Sequence, residues 1–134
     1  PVDYARFALP YVEAILAELR RHTDIPLIYF ANNGATLLRH TATLDAEVLG
    51  VDWRIPIEDA IEQAGKHAIQ GNLDPLALFL PKPVLEERIL VLLSQTKKAN
   101  GFIFNLGHGI IPETDPDQVK FTVDTVQAYR QESA

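Results

Sequence analysis

The clearest structural signal in the chain is the stretch Val48-Leu49-Gly50-Val51-Asp52-Trp53, an apolar run that ends in a carboxylate and an indole. A short apolar run without alternation is typical of a strand buried on both faces of a parallel sheet. Pro56 and Gly65 bound a predicted helix, because proline suits the first helical turn and glycine the position after the last. The stretch therefore begins one strand-plus-helix unit.

Similar units lie on both sides of this stretch. A first helix over 3–21 precedes them, with apolar residues near helical spacing and either a bend or a late helix start expected at Pro10. Asp115 is the candidate N-cap of the last helix, and the tail 131–134 is expected to fray. The other predicted strands are 26–31, 67–70 and 102–105, and the other predicted helices are 35–40, 83–98 and 116–129.

Strands and helices that alternate in this way predict an α/β fold with four parallel strands and right-handed crossovers. A complete (β/α)₈ barrel takes about 250 residues, and this chain has 134 residues. Half of a barrel fits the count, and so does an open four-stranded sandwich. The pattern alone does not distinguish the half-barrel from the sandwich. In either fold we predict that residues 1–134 form a single domain segment.

Composition excludes several classes of function. Hydrophobic residues make up 47% and charged residues 22% of the chain, as in an ordinary globular domain. The formal net charge is −6 and there is no basic run, which argues against nucleic-acid and anionic-membrane binding. No apolar run reaches the ~18 residues of a membrane span, and no signal peptide opens the chain.

The chain contains neither cysteine nor methionine. The absence of cysteine excludes disulfides, iron–sulfur clusters, cysteine-type zinc sites and thiol catalysis, and it fits a reducing cytosol. Residue 1 is Pro where a translation product begins with Met. We therefore expect the chain to be processed, trimmed or part of a longer protein.

Polar residues follow each predicted strand, where parallel α/β folds place their chemistry. His108 is the sharpest candidate for a ligand-binding residue, because it lies at a strand end between two glycines. His22, His40 and His67 lack metal-ligand spacing, so no metal site is predicted. The polar strand ends are Asn32-Asn33-Gly34, Asp52-Trp53-Arg54, Gln70-Gly71-Asn72-Leu73-Asp74 and Asn105-Leu106-Gly107-His108-Gly109.

The other polar residues at these ends have structural alternatives. Asp52 is either a general acid or base, or a partner of Arg54 that caps a loop, and we favour the second role. Trp53 suits ring stacking but also core packing. Asn72 and Asp74 are candidate ligand contacts, although Asp74 before a proline favours a helix start.

Four motifs appear in order and together resemble the uroporphyrinogen decarboxylase family over essentially the whole chain. They are Phe7-Ala8-Leu9-Pro10-Tyr11, Gly50-Val51-Asp52-Trp53, Gln70-Gly71-Asn72-Leu73-Asp74-Pro75 and Asn105-Leu106-Gly107-His108-Gly109-Ile110-Ile111-Pro112-Glu113-Thr114. The resemblance implies the carboxyl-terminal half of a (β/α)₈ barrel, strands five to eight, in a cytoplasmic homodimer. It also implies removal of carbon dioxide from the acetate side chains of uroporphyrinogen III to give coproporphyrinogen III, in haem biosynthesis, without metal or cofactor.

The resemblance assigns one site residue to this chain. The histidine of the family's Gly-His-Gly motif falls on His108, which is expected to hydrogen-bond a substrate carboxylate. The family's arginine pair, central aspartate, tyrosine and serine precede residue 1, so no catalytic residue is expected here. Asn33-Gly34 departs from the Lys or Asp that the family often has beside this glycine, in a loop that shapes the cleft.

Two alternatives remain beside a decarboxylase segment that is inactive alone. One is a related barrel methyltransferase with zinc held by His and Cys, which the absence of cysteine disfavours. The other is a non-catalytic half-barrel that serves as an interaction unit. In either form of half-barrel, the strands 27–30 and 102–105 would be apolar edges that require a partner.

Overall fold

The structure is a computed structural model that describes residues 1–129. The frayed tail expected over 131–134 lies outside the described residues. In chain order the helices are α1 Val2–Phe7, α2 Leu9–Arg20, α3 Leu38–Thr41, α4 Ile57–Ala64, α5 Lys82–Gln95 and α6 Pro116–Ala128. The strands are β1 Ile28–Phe30, β2 Val48–Gly50, β3 Ala68–Leu73 and β4 Phe102–Leu106. Two 3₁₀ helices, Ala35–Leu37 and Pro75–Phe79, precede α3 and α5.

The four strands form one sheet in the order β1-β2-β3-β4, and every neighbouring pair is parallel. This confirms the predicted α/β fold with four parallel strands alternating with helices. The third strand is longer than the predicted 67–70, because β3 continues alongside β4 as far as the pair Leu73 and Leu106.

Two helical predictions need correction. The first helix is not continuous over 3–21 but breaks at Ala8, between α1 and α2. Pro10 lies in the first turn of α2 and has no N–H to donate to the preceding turn, so of the two expectations at Pro10 the late start, and not the bend, is found. The predicted helix 35–40 is a 3₁₀ turn that passes into the short α3.

The start of the last helix is as predicted. Asp115 caps α6 by accepting a hydrogen bond from the backbone N–H of Asp117 at 2.9 Å, and Pro116 occupies the first turn. Asp74 caps the 3₁₀ helix at Pro75 in the same way, through the N–H of Leu76 at 2.9 Å.

The helices pack against one face of the sheet. One level of paired strand residues lies in or against the apolar core, where it meets α4 and α5: Tyr29, Leu49, Ile69 and Phe102. The buried side chains of α4 and α5 in this core are Ile57, Ala60, Ala64, Leu85, Ile89, Leu92 and Leu93.

The opposite face of the sheet is open in residues 1–129, although it is largely apolar. The next paired level consists of Phe30, Gly50, Gln70 and Ile103, whose side chains point away from the core because strand residues alternate. Ile28, Phe30 and Ile103 remain 51%, 44% and 43% exposed. An open sandwich covers both faces of its sheet with helices. One covered face and one bare apolar face are instead the features of a partial barrel.

Helix α2 carries a second uncovered apolar surface, next to the sheet edge formed by β1. Tyr11 and Ile15 of α2 lie one turn apart and are 69% and 60% exposed, whereas Leu16 is buried, and Phe7 at the end of α1 is also 60% exposed. Only part of the predicted apolar face of this helix therefore packs on the described chain. None of the helices within residues 1–129 has both the length and the apolarity to cross a membrane.

An ion pair lies at the amino-terminal end of the sheet, beside β1. The carboxylate of Glu47 pairs with the guanidinium of Arg20 and accepts a hydrogen bond from the backbone N–H of Leu27 at 2.6 Å. The hydrogen bond from Arg20, assisted by that from Leu27, lowers the pKa of Glu47 from 4.5 to about 2. The pair joins the end of α2 to the segments that enter β1 and β2.

Candidate functional site

The loops that follow β2, β3 and β4 meet at the carboxyl end of the sheet, as predicted. The backbone N–H of Gly107 donates to the carbonyl of Leu73 at 2.8 Å, which joins the β4 loop to the end of β3. The side-chain amide of Asn72, also at the end of β3, donates to the carbonyls of Asp52 and Ile55 in the β2 loop, at 3.1 and 2.8 Å. These bonds join the two loops through the end of β3 into one continuous rim.

Gly107 packs tightly within this rim. A Cβ atom at this position would lie 2.7 Å from the backbone nitrogen and 2.8 Å from Cε3 of Trp53. Real Cβ atoms do not approach other atoms so closely, so only glycine permits the β4 loop to rest on the β2 loop. This contact determines the position from which the next residue, His108, extends.

His108 is exposed on the rim and lines a cavity at the carboxyl end of the open face. The cavity measures about 340 Å³, and its wall includes Phe30, Gly50, Gln70 and Asn105. The imidazole and the indole of Trp53 form a T-shaped pair with an interplanar angle of 86° and ring centroids 6.5 Å apart. The structure thus brings the predicted ligand-binding histidine to a polar rim above an apolar sheet face.

Phe30 forms the apolar part of the cavity wall and was not among the predicted site residues. A Cβ on Gly50 would lie 3.0 Å from Cδ2 and 3.1 Å from Cβ of Phe30, so the glycine leaves room for the ring to extend over β2. Gln70 lies beside Gly50 in the same level and adds an amide to the wall. The pairing of a strand phenylalanine with a glycine on the next strand becomes visible only once the register is known.

Asp52 has the structural role favoured from the sequence. Its side chain is buried, Oδ1 accepts from the backbone N–H of Arg54 at 2.9 Å, and Oδ2 lies 3.6 Å from Nη1 of Arg54. The carboxylate therefore caps the β2 loop and pairs with Arg54. A fully enclosed side chain cannot meet a ligand in the cavity, so general acid–base chemistry is not assigned to Asp52.

Asn72 and Asp74 also serve the framework of the rim. Asn72 is buried, and its side-chain amide donates both of its hydrogen bonds to backbone carbonyls of the β2 loop. Asp74 caps the following 3₁₀ helix, as predicted.

The remaining histidines lie away from the cavity. His22 is exposed and contacts Glu18 at 2.8 Å. His67 is 3% exposed at the opposite end of the sheet, where Nδ1 and Nε2 lie 2.8 and 2.9 Å from the carbonyl oxygens of Ala46 and Ala42. Within residues 1–129, no group of three or more His, Asp or Glu side chains is placed to hold a metal ion.

A solved structure of another protein has a similar fold. A methyltransferase from Methanosarcina mazei superposes with a TM-score of 0.77 at 17% sequence identity, over 95% of this chain and 37% of its own. At this identity the likeness concerns the fold alone. It agrees with the partial barrel inferred from the uncovered sheet face.

Sequence comparison defines the family. A uroporphyrinogen decarboxylase from Desulfotalea psychrophila is 52% identical over 94% of this chain, and one from Solibacter usitatus is 44% identical over 96%. The chain spans 37% of the length of each of these relatives. The family profile described as uroporphyrinogen decarboxylase (URO-D) matches residues 1–129. The chain therefore belongs to the uroporphyrinogen decarboxylase family.

Proposed function

We propose that the chain is the carboxyl-terminal half of the barrel of a uroporphyrinogen decarboxylase. The observation that carries the proposal is His108, which lines the cavity at the open sheet face in a chain that matches this family throughout residues 1–129. The full-length enzyme would convert uroporphyrinogen III to coproporphyrinogen III with release of carbon dioxide. Its substrate would be the tetrapyrrole, and its setting the cytoplasm.

The reaction we propose uses the substrate as its own electron sink. Protonation of a pyrrole ring carbon creates a cationic ring, and carbon dioxide leaves the acetate carboxylate as its bonding electrons pass into that ring. The exocyclic methylene carbon formed in this way takes up a proton to become a methyl group, and the ring carbon releases the proton it gained. The protein needs to supply a cleft that excludes water, and cations for the carboxylates. No metal and no cofactor are part of this scheme.

Such a substrate requires cations, and within residues 1–129 no lysine or arginine lines the cavity beside His108. The chain carries a formal net charge of −6, so attraction of a multiply charged anion has to come from another segment. We assign the arginines and the central aspartate of the family to an upstream half of the barrel. The chain by itself is therefore expected to be inactive.

The upstream half is also the partner that we propose for the uncovered surfaces. The barrel would close when the free edges of β1 and β4 each pair with a strand of the upstream half. The open face of the sheet would then form the interior of the barrel. Phe30 and Ile103 would then lie inside the barrel. Assembly of two such complete barrels into a homodimer is part of the proposal, and sedimentation of the full-length protein would test it.

Two other functions are less well supported. The methyltransferase alternative rests on the fold likeness at 17% identity, whereas decarboxylases match at up to 52%. The non-catalytic interaction unit explains the bare sheet face but not the histidine above it. The decarboxylase proposal explains both.

Replacement of His108 by Asn in the full-length enzyme tests the proposal. Loss of one hydrogen bond to a charged group is worth about 1.5–3 kcal/mol, or roughly a 10- to 150-fold rise in KM. His22→Asn is the matched control, because His22 is exposed and remote from the cavity. Unchanged KM and kcat in the His108 variant would contradict the proposed substrate contact.

A further inference from the structure

Trp53 is the side chain that contacts the His108 imidazole. The two rings meet edge to face at 86° with centroids 6.5 Å apart. In the described residues, no hydrogen bond to a side chain or to the backbone holds the His108 ring. The indole is therefore the contact that limits the orientations open to an otherwise exposed imidazole.

The indole itself is held by its neighbours. The guanidinium of Arg54 lies over its ring at 4.3 Å, within the range of a cation–π contact. Asp52 fixes Arg54 in turn, through the backbone N–H at 2.9 Å and Nη1 at 3.6 Å. A series of contacts thus connects the buried carboxylate of Asp52, through Arg54 and Trp53, to the imidazole of His108.

The backbone beside the histidine rests on the same ring. Gly107 approaches so closely that a Cβ would lie 2.8 Å from Cε3 of Trp53. The indole therefore contacts both the side chain of His108 and the residue from which that side chain extends. A smaller side chain at position 53 would release both contacts together.

We propose that Trp53 is the positioning residue for His108, fixing the direction in which the imidazole offers its hydrogen bond to a carboxylate. The proposal rests on the substrate-binding role proposed for His108. It adds a residue that acts only through the histidine and does not itself need to touch the substrate. Correct alignment of a binding side chain raises the affinity for its ligand, because the side chain loses less conformational freedom when the ligand binds.

The test uses the full-length enzyme labelled with ¹³C at histidine Cε1, in the variants Trp53→Phe, Trp53→Leu, His108→Asn and the Trp53→Leu/His108→Asn double variant. The His108 signal is identified by its loss in the His108→Asn spectrum. We expect the ring current of Trp53 to displace this signal. Trp53→Leu should move it towards the signal of the exposed His22, and Trp53→Phe, which keeps a ring, should move it less.

Kinetic measurements on the same variants distinguish a loss of His108 orientation from a general effect on folding. Trp53→Leu should raise KM for uroporphyrinogen roughly 3- to 10-fold with little change in kcat, and Trp53→Phe should restore most of the affinity. In the His108→Asn background the Trp53→Leu change should have no further effect on KM, because the two residues act as one unit.

Each result has a defined meaning. An unmoved His108 signal in Trp53→Leu, or an equal rise in KM with and without His108, overturns the proposal. A moved signal together with wild-type KM in His108→Asn shows that Trp53 orients the histidine but refutes the substrate-binding role of His108. A moved signal with non-additive KM values supports both.

Discussion

Nδ1 of His67 lies 2.8 Å from the carbonyl oxygen of Ala46, across the start of β2 and β3. Nε2 of the same ring lies 2.9 Å from the carbonyl oxygen of Ala42. One buried side chain therefore fastens both ends of the loop that connects α3 to β2. Its position at the amino-terminal end of the sheet, away from the cavity, identifies it as part of the framework and not of the site.

Replacement of His67 by Ala is expected to destabilise the chain. The change leaves two carbonyl groups without the ring that faces them, at about 1–3 kcal/mol for each one that stays buried and unpaired. His67→Gln should lose less, because its amide can still donate. Urea denaturation measures the free energy of unfolding, with His22→Ala as the exposed control. Equal stability of His67→Ala and His22→Ala would refute the framework role.

The Glu47 carboxylate predicts a pH dependence of stability. Its folded-state pKa is lowered to about 2 from an ordinary value of 4.5. A lowered pKa adds stability at pH values above 4.5, and this stability is lost as the pH falls through 4.5 towards 2. The difference in free energy of unfolding between the wild type and Glu47→Gln should therefore shrink across this window. A difference that stays constant with pH would contradict the assignment.

Gly107 is predicted to tolerate no side chain. Gly107→Ala places Cβ against the backbone nitrogen and ring of Trp53, and such overpacking costs about 1–3 kcal/mol. Gly109→Ala is the matched control, because within residues 1–129 no atom beyond its chain neighbours lies within 4 Å of its added Cβ. Trp53 is the single tryptophan of the chain, so its fluorescence reports the displacement directly. The prediction fails if the two alanine variants have the same stability and emission spectrum.

The bare sheet face predicts self-association of the chain when it is produced alone. Ile103 is 43% exposed on this face, and Ile103→Lys should shift the chain towards a monomer in gel filtration. Val91→Lys, at a 50% exposed position of α5, makes the same change of charge away from the sheet face and should leave the elution unchanged. A wild-type chain that elutes as a monomer with sharp NMR lines would show that the face needs no partner.

The two caps illustrate how much of the local structure was predictable. The side chain of an aspartate before a proline can accept a hydrogen bond from a backbone N–H of the first helical turn, and this needs no other part of the fold. Asp74 and Asp115 therefore predicted their helix starts correctly. The break at Ala8 was less visible, because Pro10 is compatible both with a bend and with a new first turn. Such short-range effects depend on a few neighbouring residues.

The site was predictable in position but not in its contacts. Strand-end placement and flanking glycines pointed to His108, and the alternation of strands and helices pointed to the end of the sheet where it lies. Neither pattern showed that Trp53 lies against the imidazole or that Phe30 extends over Gly50. These contacts join residues of different strands, and their meeting depends on the register.

The types of the elements, their order and the parallel sheet were predictable from the amino-acid sequence, because these follow from short-range propensities and the period of apolar residues. Which apolar surfaces are covered depends on how the elements pack in three dimensions. Leu16 is buried and Ile15 is not, although both are apolar residues of α2. Burial depends on what the other elements place opposite a side chain, and in residues 1–129 no element lies opposite Ile15 or the open face of the sheet.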